Sequence, residues 1–412
     1  MTPVMTPVYL KNLIEQKIIQ ETDATRKLTI QETTKNYKVY RIPVEYLHYN
    51  NKNGRIISSI NKYESEGHTL DLSDKETYNN ILQQYIINSN KLALDATKAN
   101  IQLFGQRLPG VVLNDGRVID GNRRFTCVRL INAEDGKNLY FEAVILDQAE
   151  GLSDTDIKRL ELNLQHAEER PVDYDPIDNL VEVYSVIDKD KLFSVEEYAR
   201  NTNKKKAEVD KMLKKANLMV EFLEFINAEG KFYVARDLNL DGPLQEIMGI
   251  LNREDVGDEV EYLRVRNALF AALAIPHRGD LTRHIREIGK NILKAANREE
   301  FLDEYEEIVE EVYETFHEQG DVTKEVVREI NANLDSSTKL ESKKLIEGKI
   351  AETIISTIQF QPVESLQRAF TALEDIDTDQ ISRLDSTSKH EFKKLLEAIE
   401  ATTKLFGTKL GL

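Results

Sequence analysis

The chain of 412 residues carries a single cysteine, Cys127. One thiol excludes an intramolecular disulfide framework and fits a reducing compartment, so a cytoplasmic location is expected. No apolar run approaches the roughly 20 residues that a helix needs to cross a bilayer, so no membrane is expected among its partners. The first residues lack a basic start followed by an apolar stretch, and no signal peptide is expected. A Walker A sequence is missing, which excludes a P-loop nucleotide site. No Ser-His-Asp or Cys-His arrangement has supporting local sequence. Internal repeats and low-complexity tracts are missing too. Positive charge is in deficit: 55 lysines and arginines stand against 72 acids, for a net charge of −17. That balance argues against a protein coated in nucleic acid, yet it leaves room for a local basic element that faces phosphates.

What is present is enough apolar residue, 41% of the chain, to build packed cores. The length suggests two or three domains. Residues 9–35 read as one amphipathic helix, with Leu10, Leu13, Ile14, Ile18 and Ile19 at helical spacing, followed by a polar linker. Tyr37–Leu47 is rich in β-branched and aromatic residues and reads as a strand. Residues 50–75 are polar and read as loop, and 76–104 carry helical periodicity. From 153 onward the pattern is helical almost to the end. Within it, Phe301, Tyr305, Ile308, Val312 and Phe316 line one face of an acidic helix over 297–318, with Asn297 and Glu300 as a capping-box-like start.

The most informative block is 105–147. Gly110–Leu113 is a short apolar strand, Asn114-Asp115-Gly116 a hairpin turn, and Val118–Ile119 the return strand. Asp120-Gly121-Asn122 is a second turn, feeding a helix over Arg123–Ile131, and Phe141–Leu146 is a further strand. A glycine turn opening a helix presents unpaired backbone N–H groups and the positive end of the helix dipole. Arg123 and Arg124 fall at that start, where two guanidinium groups repel each other unless an anion answers them. A phosphate would do so, because arginine forks match its oxygens. The residues alone equally allow one arginine to be solvated and the other to pair with Asp120 or a nearby acid.

The order of short motifs across about 37–219 resembles the ParB/sulfiredoxin-like superfamily. Gly105-Gln106-Arg107-Leu108-Pro109 is similar to its glycine-glutamine box, and Gly121-Asn122-Arg123-Arg124 to its glycine-x-arginine-arginine box. Glu161-Leu162-Asn163-Leu164-Gln165 is similar to its glutamate-asparagine-leucine-glutamine box. Tyr40–Arg55 looks like its first strand and arginine-bearing loop. The resemblance implies a nucleoside triphosphate, CTP or ATP, held by Arg55, Gln106, Gly121, Asn122, Arg123, Arg124, Asn163 and Gln165. It implies Mg2+ at Glu161 and Asn163. Two positions depart from the pattern. Asn122 stands where the family has an acid, and Leu162 where it has the glutamate. Glu161 is one residue off, about 100° around a helix. The sulfiredoxin cysteine is replaced by Asn122, and Cys127 reads as a buried core residue.

Phe193–Met219 has the grammar of a helix-turn-helix. Ser194 and Glu197 form a capping box, Asn203 suits a left-handed turn, and Val209, Met212 and Leu213 face inward. From Asn203 to Lys215 there are six lysines and two acids, a local net charge of +4. Lys204, Lys205, Lys206 and Lys211 are the residues expected to grip the phosphates of double-stranded DNA. A small packing unit with a solvated basic face is the alternative. His277 and His284 lie in a basic stretch whose spacing suits a contact with an acidic helix better than a metal.

Together these readings give four segments: 1–36, an N-terminal helix and linker; 37–150, an α+β ParB/sulfiredoxin-like domain; 151–220, a helical linker and helix-turn-helix; and 221–412, an acidic, mostly α-helical region. Three functions remain open. The first is a nucleotide-dependent DNA-binding protein of ParB-like character. The second is a nuclease, nucleoside triphosphatase or phosphotransferase with Asp120 and Glu161 as acid/base candidates. The third is a non-catalytic module that forms a homo-oligomer or binds a partner.

Overall fold

A computed structural model describes residues 9–167, 175–253, 256–275, 277, 279–294, 298–318, 322, 327–328, 334 and 336–411. It divides into two units, one ending at Leu345 and one spanning Ile346–Leu412. The first is α+β, with a mixed six-stranded sheet near the N-terminus and helices after it.

Helix α1 is a short turn, Leu10–Glu15, with Leu10 and Leu13 buried. The amphipathic helix expected at the start of 9–35 is confined to this turn, and the polar linker expected after it is not formed. Residues 20–42 instead build a hairpin of β1 (Gln20–Ile30) and β2 (Thr33–Ile42), turned through Gln31 and Glu32 at positive φ. Strand β1 buries only Leu28 and Ile30, so it shows almost no alternation of apolar and polar residues. Its turn has no glycine or asparagine to mark it. The boundary expected at residue 36 therefore falls inside β2. The loop expected over 50–75 also contains structure, a 3-10 turn Gly54–Ile56 and helix α2 (Ile57–Ser65).

The remaining strands are β3 (His48–Tyr49), β4 (Gly110–Leu113), β5 (Arg117–Asp120) and β6 (Phe141–Leu146). The sheet order is β1-β2-β6-β4-β5-β3. Strand β6 is antiparallel to β2 and parallel to β4, β4 is antiparallel to β5, and β5 is parallel to β3. Successive side chains alternate between two faces, as the pleat requires. Val112, Val118 and Ala143 join Leu10, Tyr49, Leu82, Ile101, Phe125 and Phe141 in one core. Val111, Ile119 and Val144 join Leu28, Val39, Ile157 and Leu160 in the other. The first core is covered by α3 (Lys75–Ser89), α4 (Lys91–Phe104) and α5 (Asn122–Asp135), the second by α6 (Asp154–Ala167). Cys127 is fully buried, and burial pushes its thiol up to about 12.

Helix α7 (Pro176–Tyr184) passes into a π-helical turn, Ser185–Lys189. The two helices expected next are present as α8 (Val195–Asn201) and α9 (Lys206–Phe225). Ser194 and Glu197 make the reciprocal capping box, and Asn203 takes the left-handed conformation at φ 54°. Val209 seats α9 in a cluster with Leu162, Val183, Phe193 and Tyr198. Further helices follow: α10 (Phe232–Asp237), α11 (Asp241–Leu251), α12 (Glu259–Ala274), α13 (Leu281–Asn291) and α14 (Arg298–Glu318). All five apolar residues read on the face of the last are buried. Asn297 lies outside the described residues. In the second unit, the helix Ser336–Glu374 runs in from before its start, and Thr378–Ser382 and Ser386–Leu410 follow. Among the described residues no helix is long and apolar enough to cross a membrane.

Gly110 opens β4 where the sheet meets the site. A Cβ there would lie 2.5 Å from the Phe141 ring and 2.8 Å from the Asp120 carbonyl oxygen. Gly110→Ala should therefore destabilise the first unit by about 1–3 kcal/mol through overpacking. A urea melt showing no loss would remove this crowding from the account.

Candidate functional site

The site forms where β5 ends and α5 begins. Gly121 sits between them in the left-handed region at φ 94°, with the Phe141 ring 3.1 Å from where a Cβ would be. Only glycine takes this conformation without strain. The first turn of α5 has no side-chain cap and no acidic residue, so the positive end of its dipole meets no acid of its own turn. Asn122, the first helical residue, is buried, and its Oδ1 has no hydrogen-bond partner among the described residues.

Two lobes open beside this helix start. The first, of about 250 Å³, is lined by Asn53, Arg55, Ser89, Thr97, Gly121, Asn122, Arg123, Arg124 and Gln165, among others. The second, of about 500 Å³, is lined by Ser59, Lys62, Tyr85, Asn88, Asp175, Asp178, Arg236 and Asn239. Arg55, Ser89 and Arg123 line both, so the two lobes adjoin along a shared wall. Five cationic side chains and three acids, Asp120, Asp175 and Asp178, line the two lobes, a local excess of positive charge on a protein whose net charge is −17. Low-dielectric walls concentrate such a field and draw anions to it.

The two arginines of the box have different surroundings. Arg124 Nη2 donates to Asp120 Oδ2 at 3.0 Å, and its Nη1 donates to the carbonyls of Leu108 and Pro109 at 2.5 and 3.2 Å. Arg26 on β1 donates from Nη1 to the same Asp120 oxygen at 2.7 Å and to Pro109 at 2.6 Å. Burial works to raise the Asp120 carboxyl, but the guanidinium groups of Arg124 and Arg26 outweigh it and hold it below the usual carboxylate range. Of the two readings of this arginine pair, Arg124 follows the one in which it answers Asp120. Arg123 lines both lobes.

The other sequence-expected residues divide between cleft and frame. Arg55, Gly121, Asn122 and Gln165 line the first lobe. Gln106 lines neither lobe: its amide bridges the backbone of Glu142, donating to the carbonyl at 2.6 Å and accepting from the N–H at 3.0 Å. Asn163 and Glu161 do not line either lobe. Glu161 is buried in a separate cluster where Lys158 Nζ lies 3.5 Å from it and 3.0 Å from Glu182. Burial raises its carboxyl, with Lys158 opposing. Gln165 Nε2 donates to Glu161 Oε1 at 3.1 Å, linking this cluster to the cleft. Among the described residues no group of three or more histidine, cysteine or acidic side chains is placed to hold a metal ion. The side chain of His166 and the turn through Pro171 lie outside the described residues.

Several lining residues escaped the sequence reading. Lys62 lies in the segment read as loop, Arg236 and Asp178 lie in the helices α10 and α7, and Asp175 is the N-cap residue before α7. Arg26, which fixes the site from beneath, was hidden in the segment read as linker.

On the helix pair, Lys204 pairs with Glu208 at 2.9 Å and Lys206 pairs with Glu196. Lys205 and Lys211 are exposed, with no ion-pair partner among the described residues. In the basic stretch, the rings of His277 and His284 stack at 3.8 Å, and Arg286 pairs with Glu246 of α11 at 2.6 Å.

No protein-family model matches the chain, and no curated protein is detectably similar to it in sequence.

Asp120 is the residue to change. Asp120→Asn leaves two guanidinium groups facing each other in a buried site, and it should cost about 3–5 kcal/mol of stability. A folded-state carboxyl held below its ordinary value contributes stability above that value and loses it as pH falls through the lowered one. The stability gap between wild type and Asp120→Asn should therefore be full at neutral pH and close below about pH 4. Thermal melts across that range give the comparison, and a gap that is constant with pH would contradict the assignment.

Proposed function

We propose that this protein binds a nucleoside triphosphate in the cleft at the start of α5 and double-stranded DNA on the α8–α9 pair, in the manner of the ParB/sulfiredoxin-like proteins its motifs resemble. The observation that carries the reading is the convergence of Arg55, Lys62, Arg123, Arg124 and Arg236 on a cleft at an uncapped helix N-terminus. Phosphate is the anion that such a site fits, since helix N–H groups and arginine forks both address its oxygens. A cleft with two lobes accommodates more than a single phosphate group. CTP and ATP are the candidate nucleotides.

The geometry favours binding over turnover. Asp120 is committed to Arg26 and Arg124, and Glu161 belongs to a separate buried cluster. Neither is a free carboxylate beside the phosphates, so the triphosphatase and nuclease readings lose their named acids. Magnesium enters the proposal as an ion carried by the triphosphate, which commonly keeps several waters and takes few protein oxygens.

DNA contact rests on the helix pair itself and on Lys205 and Lys211, the members of the expected lysine set without an ion-pair partner among the described residues. Lysines of this kind grip phosphates without reading bases. Self-association belongs to the same proposal. Ile358, Phe360, Val363 and Phe370 of the second unit are all more than half exposed, more apolar surface than an isolated helix keeps in water without a partner.

Two measurements test the reading. In calorimetry with CTP and ATP, Arg123→Ala should weaken binding about tenfold or more, the expected loss of charge-assisted hydrogen bonds to phosphate. Arg124→Ala should lower the melting temperature as well. Equal nucleotide affinity in wild type and Arg123→Ala would end the phosphate assignment. For DNA, Lys205→Ala and Lys211→Ala should each flatten the salt dependence of duplex binding by about one unit of slope. Failure to bind any duplex at low salt would return α8–α9 to a packing unit.

A further inference from the structure

A further cavity, of about 500 Å³, is walled by α2, β5, α6, α7 and the π-helical turn. It shares only Ile119 with the cleft. Its volume is that of a small-molecule site, and its charge sets it apart. Lys52, Arg117, Lys158 and Lys189 line it. Against these four cations stand five acids, the exposed Glu64, Asp154 and Asp190 and the buried Glu161 and Glu182. The cleft has five cations and three acids. A polyanion is therefore drawn to the cleft and finds no net attraction in this cavity.

The charges of this cavity are unevenly answered. Lys158 lies 3.5 Å from Glu161 and 3.0 Å from Glu182, so that cation and those acids satisfy one another. Arg117 is half-buried, and its guanidinium makes no hydrogen bond or ion pair among the described residues. Five N–H donors held partly out of water favour an acceptor, and a carboxylate fits the fork best. Glu64, Asp154 and Asp190 are exposed and have no ion-pair partner among the described residues. They offer acceptors to an ammonium group. A plain anion would meet these acids, and a plain cation would meet Arg117. A molecule that carries one carboxylate and one ammonium answers both. Ile57, Leu192 and Phe232 add apolar surface on which a side chain can rest.

We propose that this cavity is a second ligand site, separate from the cleft, that takes a small zwitterion with the chemistry of a free α-amino acid, its carboxylate on Arg117 and its ammonium toward the exposed acids. The site does not depend on what the cleft binds. The π-helical turn gives it a route to the helix pair. Ser185 and Lys189 of that turn line the cavity. Asp188 of the same turn accepts a hydrogen bond from Asn217 Nδ2 of α9 at 2.8 Å. Such turns depart from regular helical bonding and recur at functional sites. An occupant that holds the turn therefore bears on α9.

The test uses the full chain and the common free α-amino acids as probes, each at about 10 mM in thermal melts and then in calorimetry. At least one should raise the melting temperature and bind. Its N-acetyl form and its decarboxylated amine each lose one of the two charges, and each should bind about tenfold more weakly or worse. Arg117→Gln should weaken binding of the intact amino acid by a similar factor. Because Arg117 lies in the sheet, a second variant guards against misfolding. Glu64→Gln, Asp154→Asn and Asp190→Asn combined change exposed side chains alone and should weaken it likewise. Binding should also slow amide hydrogen exchange in the turn Ser185–Lys189. A panel in which no amino acid shifts the melt overturns the site. So does equal affinity for the N-acetyl or amine form, or full affinity in both folded variants. Unchanged exchange in the turn on binding overturns the placement of the ligand in this cavity.

Discussion

The Asp120 carboxylate holds the N-terminal half of this protein together. It sits at the end of β5, is buried, and receives one guanidinium from β1 and one from the first turn of α5. A carboxylate in that position is costly unless cations and hydrogen bonds answer it, and here both do. The same two arginines also bind the carbonyls of Leu108 and Pro109, so the segment leading into β4 is tied to the cluster. Strand β1, distant in sequence, thereby meets the segment before β4, the end of β5 and the start of α5 at one charge. Remove it, and the direction of α5, the path into β4 and the anchoring of the β1–β2 hairpin all lose their common support.

This arrangement explains why two adjacent arginines do different work. Consecutive residues on a helix point about 100° apart. With Arg124 turned down onto Asp120, Arg123 is carried round to the wall shared by both lobes. The box therefore joins a structural ion pair to a cation that lines both lobes. Gln106 plays a similar role in the frame, bonding both backbone groups of Glu142 and so tying the segment before β4 to β6. Motif residues that look like a ligand set in one dimension separate, in three, into those that build the cleft and those that face it.

The legibility of each part follows from how much of it was written in apolar pattern. The β4–β5 hairpin and β6 read as short apolar runs because both faces of the central sheet are buried, and α5 was readable from the glycine turn that opens it. So was the α14 stripe, and so was the capping box at Ser194, whose signature is local. Strand β1 was not readable, because it buries two residues in eleven and is held by its ladder with β2 more than by side chains. Arg26 disappeared with it. The cleft was half readable. Arg55, Asn122 and Arg123 lie in or near motifs, whereas Lys62, Asp178 and Arg236 come together only through tertiary packing and leave no local trace. The one-residue offset of Glu161 was visible in the sequence, and the structure gives it physical meaning: the side chain points to Lys158 and Glu182.

Helix α7 is where the cleft and the helix pair meet. Asp175 and Asp178 line the second lobe, and Val183, further along the same helix, shares a cluster with Val209 of α9. From the other side, Arg236 on α10 follows α9 in the chain and reaches back to Ser58 and Ser59 on α2. A ligand in the second lobe would bear on α7 and α2, and α7 is one of the surfaces on which α9 is seated. The exposed lysines at the start of α9 and the second lobe are thus connected through a continuous packed path with no flexible linker between them. Differential affinity for one placement of α7 is all that a ligand needs in order to bias the helix pair.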